Sequence, residues 1–275
     1  MKKTNNIIIN NIINYRDNNS HKGTHGHALL ITGSKGKMGA AVIAARACLR
    51  SGVGLLSVNV PDEEKHILQT AVPEAMVENR SYSKKNITGY SAIGIGPGIG
   101  ISKELVKLLK TILEECKQPL VLDADALNII SLHKKWINII PSLTIITPHP
   151  KEFDRLFGEH NTNDERIIKA IEKSKELDII IVLKSNKTLI TYNGESYLNS
   201  TGNAGLAKGG SGDALTGIIT AFLAQGYSPF NAAILGVYIH GLAADIALKT
   251  QSMESMLITD VIECLGKAFK QIFKK

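Results

Sequence analysis

Asp213 follows Gly209, Gly210, Ser211 and Gly212 in the string AKGGSGDALTG, at the head of an apolar repeat, Leu215, Ile218, Ile219, Phe222 and Leu223, with helical spacing. A glycine-rich turn running into a helix start aims free backbone N–H groups at one point, which suits a phosphate or a developing oxyanion. A carboxylate in the first turn stabilises the helix dipole by about 0.3–1 kcal/mol. Beside an anion hole, however, it repels the ligand that the hole attracts. A chemical role resolves the conflict: Asp213 acts as the base for a hydroxyl that attacks phosphorus. The residues by themselves thus lead to phosphoryl transfer.

Other candidate groups lie just after apolar runs. TGSKGKMGAA, Thr32 to Ala41, contains Gly33, Gly36 and Gly39, but Met38 follows Lys37 where a Walker A loop needs Ser or Thr for magnesium. GIGPGIG, Gly94 to Gly100, has the wrong spacing for a dinucleotide fingerprint. Taken singly, each reads equally well as a tight strand-to-helix turn. DADALN, Asp123 to Asn128, and TPHPKEF, Thr147 to Phe153, gather Asp, Asn, His and Glu, which suits a metal, a water or a polar substrate better than a simple turn. His149, between two prolines, belongs to a rigid extended segment that positions its side chain. Glu152 also reads as an acid capping the following helix.

The elements that must position these groups follow from periodicity. Strands are expected at 28–32, 54–60, 91–96, 119–125, 143–148 and 178–184, and a hairpin at 187–199 turning on Asn193-Gly194. Helices are expected at 38–51, 102–116, 150–157, 163–177, 212–225, 229–249 and 258–272. Alternation of this kind makes a mainly parallel sheet covered by helices, with its ligand site beyond the carboxyl ends of the strands. No linker, charge block or repeat interrupts it, so one domain is expected over residues 1–275, with 1–20 as an N-terminal extension.

Composition narrows the function class. The net charge is +7, but 32 basic residues are interspersed with 25 acidic ones and aromatics make up 5%. This balance suits an anionic small molecule and argues against a nucleic-acid partner. Cys48, Cys116 and Cys264 are widely separated and odd in number, as expected in a reducing cytoplasm. Asn interrupts every apolar run of MKKTNNIIINNIINYRDNN, which does not read as a signal peptide, and no membrane association is expected.

NAGLAKGGSGDALTGIITAFLAQG resembles the G-G-[ST]-G-D signature of the ribokinase-like fold. HKGTHGHALLITGS, GKMGAAVIAARACLRSGVGLLSV, GIGPGIG, VLDADALN, TPHPKEFDRL and VLKSNKT then occur in the order found in the NAD(P)H-hydrate dehydratase family, from about Lys22 to the C-terminal helices. The resemblance implies a three-layer α/β/α sandwich and a metabolite-repair lyase. Such an enzyme phosphorylates the ring hydroxyl of the S epimer of NADH or NADPH hydrate and expels phosphate.

By the same resemblance, Asp213 activates the hydroxyl and the amides of Gly209, Gly210, Ser211 and Gly212 hold the transferring phosphate. Ala40, Gly98 or Gly100, and His149 contact the hydrated dinucleotide, and Asn128 orients substrate or phosphate. Lys184, Ser185, Asn186, Lys187, Thr188 and Gly212 contact the adenosine nucleotide, with ADP expected over ATP. Glu152 stands where related kinases organise Mg2+ through water. A separate epimerase is the implied pathway partner and a homotetramer the implied assembly. Lys208 departs from the Thr usual before the double glycine, and Lys184-Ser185 from the usual Lys-Gly. Two rivals are a thiazole, pyrimidine or sugar kinase of the same fold and a non-catalytic nucleotide sensor.

Overall fold

The Ile-, Leu- and Val-rich runs form the interior of one sheet in a computed structural model that describes residues 1–80 and 87–273. In chain order the elements are β1 (Lys2–Lys3), α1 (Asn6–Ile12), β2 (His27–Ile31), α2 (Met38–Arg50), β3 (Leu55–Val60), α3 (Lys65–Ala71), β4 (Met76–Asn79) and β5 (Ala92–Ile95). Next come α4 (Lys103–Glu115), β6 (Leu120–Leu122), α5 (Ala124–Leu132), β7 (Ile145–Ile146), α6 (Pro150–Phe157), α7 (Asn163–Glu176) and β8 (Ile180–Leu183). The chain closes with β9 (Leu189–Tyr192), β10 (Glu195–Leu198), α8 (Ser211–Ala224), α9 (Pro229–Ala247) and α10 (Ile258–Ile272).

Among the described residues the strand order is β1-β10-β9-β8-β7-β6-β5-β2-β3-β4. Only β9 runs against the others, through the hairpin whose turn residues Asn193 and Gly194 both have positive φ, as a tight two-residue hairpin turn requires. Buried side chains on one face of the sheet pack against α1, α2, α3, α8, α9 and α10. Those on the other face pack against α4, α5, α6 and α7. This is the expected three-layer α/β/α sandwich. At Gly217 in α8 a Cβ would lie 2.1 Å from the Ala44 carbonyl oxygen, so glycine lets α8 lie directly on α2. That contact seats the α8 start against the sheet.

Three local expectations need correction. The strand expected over 119–125 stops at Leu122, because Asp123 turns out as a helix cap and Ala124 takes a φ of 47° that begins α5. The strand expected over 143–148 shortens to Ile145–Ile146. Residues 2–3 form an edge strand, where Thr4 N donates to the Leu198 carbonyl at 3.0 Å, and Tyr238 OH donates to Asn6 Oδ1 at 2.6 Å. The first residues are therefore stitched to the sheet. Helix α9 meets the length and composition of a membrane span, but 78% of its apolar window is buried inside the sandwich.

Candidate active site

The chain passes through β2, β3 and β4 in one direction, then returns to place β5 on the other side of β2, so the carboxyl ends of β2 and β5 form the switch point at which such sheets bind their ligands. The two glycine loops meet there. Gly33 N donates to the Pro97 carbonyl at 2.8 Å and Ser34 Oγ to the Gly98 carbonyl at 2.7 Å. Gly98 has φ +64°, and a Cβ on it would lie 2.9 Å from Cβ of Ala40. Asp125 Oδ2 accepts from Gly100 N at 2.8 Å and lies 3.7 Å from Lys37 Nζ. Asn128 leans on the same carboxylate at 3.4 Å while its own Oδ1 accepts from Arg155 at 2.9 Å. Ala40, Gly98, Gly100 and Asn128 are thus brought together, and Asn128 acts on Asp125 from within the protein.

Asp213 occupies the first turn of α8, whose N-cap Gly210 has φ 94° and provides no side-chain cap. At Gly210 a Cβ would come within 2.7 Å of Ile43 Cδ1, so glycine is required for conformation and space alike. The Ser211 amide already donates to the Lys208 carbonyl at 3.3 Å, which makes it the least free of the amides in the expected cradle. Burial, and then the charges of Asp123 and Asp125, push the Asp213 carboxyl from 3.8 up to about 6 against the pull of Lys184. A proton acceptor poised near neutrality is the form general-base chemistry needs.

Beneath this helix start lies an ion pair. Asp123, 1% exposed, accepts from Lys184 Nζ at 2.7 Å and from Thr216 Oγ1 at 2.9 Å. Burial pushes its carboxyl up, but the Lys184 charge and hydrogen bonds from Lys184, Thr147 and Thr216 outweigh burial and hold it below the usual range. A Cβ on Gly212 would lie 3.1 Å from Lys184 Nζ and 3.3 Å from Asp123 Oδ2, so the α8 backbone rests on the pair.

His149 caps α6. Its Nδ1 accepts from the amides of Lys151 (3.1 Å) and Glu152 (3.2 Å), while Glu152 Oε2 accepts from His149 N at 2.8 Å. This pattern assigns the ring proton to Nε2, which faces Glu152 Oε1 at 3.4 Å. Burial holds the imidazole below its usual range despite the Glu152 charge. Glu152 is buried and 4.0 Å from Lys184, so the capping role read from its position is realised.

A cavity of about 650 Å³ opens beside Lys184. Its lining includes Ser185, Asn186, Thr188, Ser211 and Gly212 from the expected nucleotide set, together with Asn199, Thr201, Asn203, Leu206, Val237 and His240; His149, expected on the hydrated dinucleotide, lines this cavity instead of joining the Ala40 cluster. Lys187 is exposed in the Ser185–Thr188 turn, outside the lining, as are Gly209, Gly210, Asp213, Glu152 and the Ala40 cluster. Asp213, in the first turn of α8, feels the charges of Asp123, of the cavity-lining Lys184 and of Asp125 at the second glycine loop. Lys208 Nζ donates to the Glu254 carbonyl, tying the glycine-rich segment to the α9–α10 connection.

Sequence reasoning read Asp123 and Asp125 only as members of the DADALN cluster, with no role assigned to either, and passed over Arg80. Arg80 Nη2 donates to the carbonyls of Thr32 (2.7 Å), Gly33 (2.8 Å) and Asn59 (3.0 Å), bracing the first glycine loop. The acids of DADALN were legible as a cluster, but their partners lie far off in sequence. Nothing near Arg80 signalled its role.

The family profile described as NAD(P)H-hydrate dehydratase matches residues 28–267. The chain is 34% identical to the ADP-dependent (S)-NAD(P)H-hydrate dehydratase of Bacillus subtilis, over 93% of each chain. It is 33% identical to the bifunctional NAD(P)H-hydrate repair enzyme Nnr of Moorella thermoacetica, over 94% of this chain but 52% of that one, so it spans about half of such bifunctional relatives. Among solved structures, the ADP/ATP-dependent NAD(P)H-hydrate dehydratase of B. subtilis, co-crystallised with ATP/Mg2+, superposes with a TM-score of 0.87 at 31% identity, covering 98% of both chains. A ribokinase-like superfamily protein of Enterococcus faecalis superposes with a TM-score of 0.87 at 30% identity, covering 100% of this chain and 97% of that one.

Proposed function

Because the chain belongs to the NAD(P)H-hydrate dehydratase family, we propose that the switch point where the glycine loops meet takes the hydrated nicotinamide dinucleotide and that the cavity beside Lys184 takes ADP or ATP. The observation that carries this reading is Asp213: an acid raised to about 6, in the first turn of an uncapped helix, in the field of the cavity-lining Lys184 and of Asp125 at the second glycine loop. Asp213 takes the proton of the ring hydroxyl as that oxygen attacks the terminal phosphoryl group. The O–P bond forms, the bond to the remaining nucleotide breaks, and the α8 amides with Lys184 face the developing charge. The ring nitrogen then expels phosphate and loss of the neighbouring ring proton restores the dihydronicotinamide. Hydroxide is a poor leaving group and phosphate a good one, which is why a nucleotide is consumed.

Among the described residues no three His, Cys, Asp or Glu side chains converge on a metal site, and Glu152 commits an oxygen to its helix cap. This donor set fits a Mg2+ carried mainly by nucleotide phosphates, with Glu152 reaching it through water. When bound, such an ion neutralises phosphate charge. ADP is the preferred nucleotide in this reading, the protein works in the cytoplasm as a homotetramer, and a separate epimerase supplies the S epimer. Hydrated NADH and hydrated NADPH, each incubated with ADP or ATP, test it. Recovery of dihydronicotinamide absorbance is expected, fastest with ADP, and no recovery with any pair overturns it.

A further inference from the structure

In α9, Val237, His240 and Gly241 share one face and line the cavity assigned to the nucleotide. Gly241 lets that face approach closely, since a Cβ there would lie 2.5 Å from Thr201 Oγ1. His240 is the polar side chain the helix presents to this wall, in a run otherwise composed of Ala, Ile, Leu, Val and Gly from Ala232 to Ala244 apart from Tyr238.

Neighbouring polar groups of the lining are satisfied within the protein. Lys184 pairs with Asp123, Thr201 Oγ1 donates to the Tyr238 carbonyl at 2.8 Å, and Asn199 Nδ2 donates to the Thr201 carbonyl at 2.9 Å. His240 Nε2 differs. It is one of four buried side-chain nitrogen or oxygen atoms among the described residues without a hydrogen-bond partner, and the one belonging to a residue of this cavity. A buried polar atom left unmatched is costly, and an apolar side chain would have filled the same space at less cost.

We infer that His240 is a nucleotide-binding residue whose ring makes a hydrogen bond to the ribose–phosphate portion of the bound adenosine nucleotide. The inference rests on reading the cavity as the nucleotide site. Two physical points place the contact toward the phosphates: Gly212 of the α8 start lines the same cavity, and the Lys184 charge reaches the His240 ring. Burial, and then that charge, lower the imidazole to about 4, so it stays neutral near pH 7 and carries one N–H and one acceptor.

The test titrates ADP into the wild-type protein, His240→Phe, which keeps ring volume without hydrogen bonding, and His240→Gln, which keeps a donor and an acceptor. His240→Phe is expected to weaken ADP binding about tenfold and to raise the nucleotide KM with little change in that for hydrated NADH, and His240→Gln is expected to recover most of the loss. In the wild-type protein the ring 15N signals of His240 are expected to move as ADP saturates, a readout that stands even where a variant folds poorly. A folded His240→Phe protein that binds ADP within twofold of wild type overturns the inference and leaves the cavity reading intact, whereas unmoved signals at saturating ADP overturn the inference together with the cavity reading. Failure of the wild-type protein to bind ADP at all overturns both.

Discussion

The acid at the α8 start should make the protein active at the expense of its stability, and Asp213→Asn separates the two. Its carboxyl rises from 3.8 to about 6 because burial and the charges of Asp123 and Asp125 outweigh Lys184. An acid whose folded value lies above its unfolded one contributes fully while both states are protonated, below pH 3.8, and its contribution falls as pH rises toward 6. Above pH 6 the ionised group opposes folding by about 3 kcal/mol. The favourable helix-terminus interaction of the carboxylate returns about 0.3–1 kcal/mol, leaving a net cost of about 2 kcal/mol. Asparagine has no charge to bury, so at pH 8 the variant should unfold roughly 5 °C above wild type, with the difference shrinking toward pH 4. Turnover should fall about 100- to 10,000-fold for loss of a general base. Thermal unfolding at pH 8 and pH 4.5, together with absorbance recovery, reads both quantities. A variant less stable than wild type at pH 8 would contradict the cost assigned to the buried charge, and one that turns over within tenfold of wild type would contradict the general-base role.

Wild-type kcat/KM should rise with pH through a limb near 6 and level off above it as Asp213 ionises, measurable from pH 5 to pH 8; a flat profile contradicts the assignment. Lys184→Met leaves Asp123 buried beside Thr216 without its cation, and should cost about 3–5 kcal/mol in urea unfolding. Gly212→Ala sets a Cβ 3.1 Å from Lys184 Nζ and 3.3 Å from Asp123 Oδ2, which should raise the nucleotide KM more than that of the hydrated dinucleotide.

Long periodic elements were legible in the sequence because their signals are local. The helices at 150–157 and 258–272 lie where apolar spacing set them, and the first opens on a His149–Glu152 capping box of which the sequence reading had only the Glu152 half. Elements with weak patterns escaped. Met76–Asn79 is a half-exposed edge strand ending in Glu and Asn, and Asn6–Ile12 has Asn within its isoleucines. At Asp123 the apolar run VL led the strand reading too far, because an acid at a helix N-cap position and one at a strand end look alike until the backbone turns. The proposed phosphate cradle and its proposed base were visible as neighbours in sequence. Their support was not: Lys184 lies 61 residues from Asp123 and Thr216 lies 93, and such pairings follow from sheet order, which periodicity does not encode. His240 offered one signal, a polar residue inside an apolar helix.

In the proposed reaction, phosphate transferred by this site leaves again, carrying the hydroxyl oxygen with it. Phosphorus NMR of a reaction with hydrated NADH and limiting ADP, read alongside absorbance, tests this most directly. One free phosphate and one NADH are expected for each ADP consumed. Accumulation of a phosphorylated tetrahydronicotinamide without recovery of absorbance would contradict that reaction and assign the chain to the kinases that share its fold.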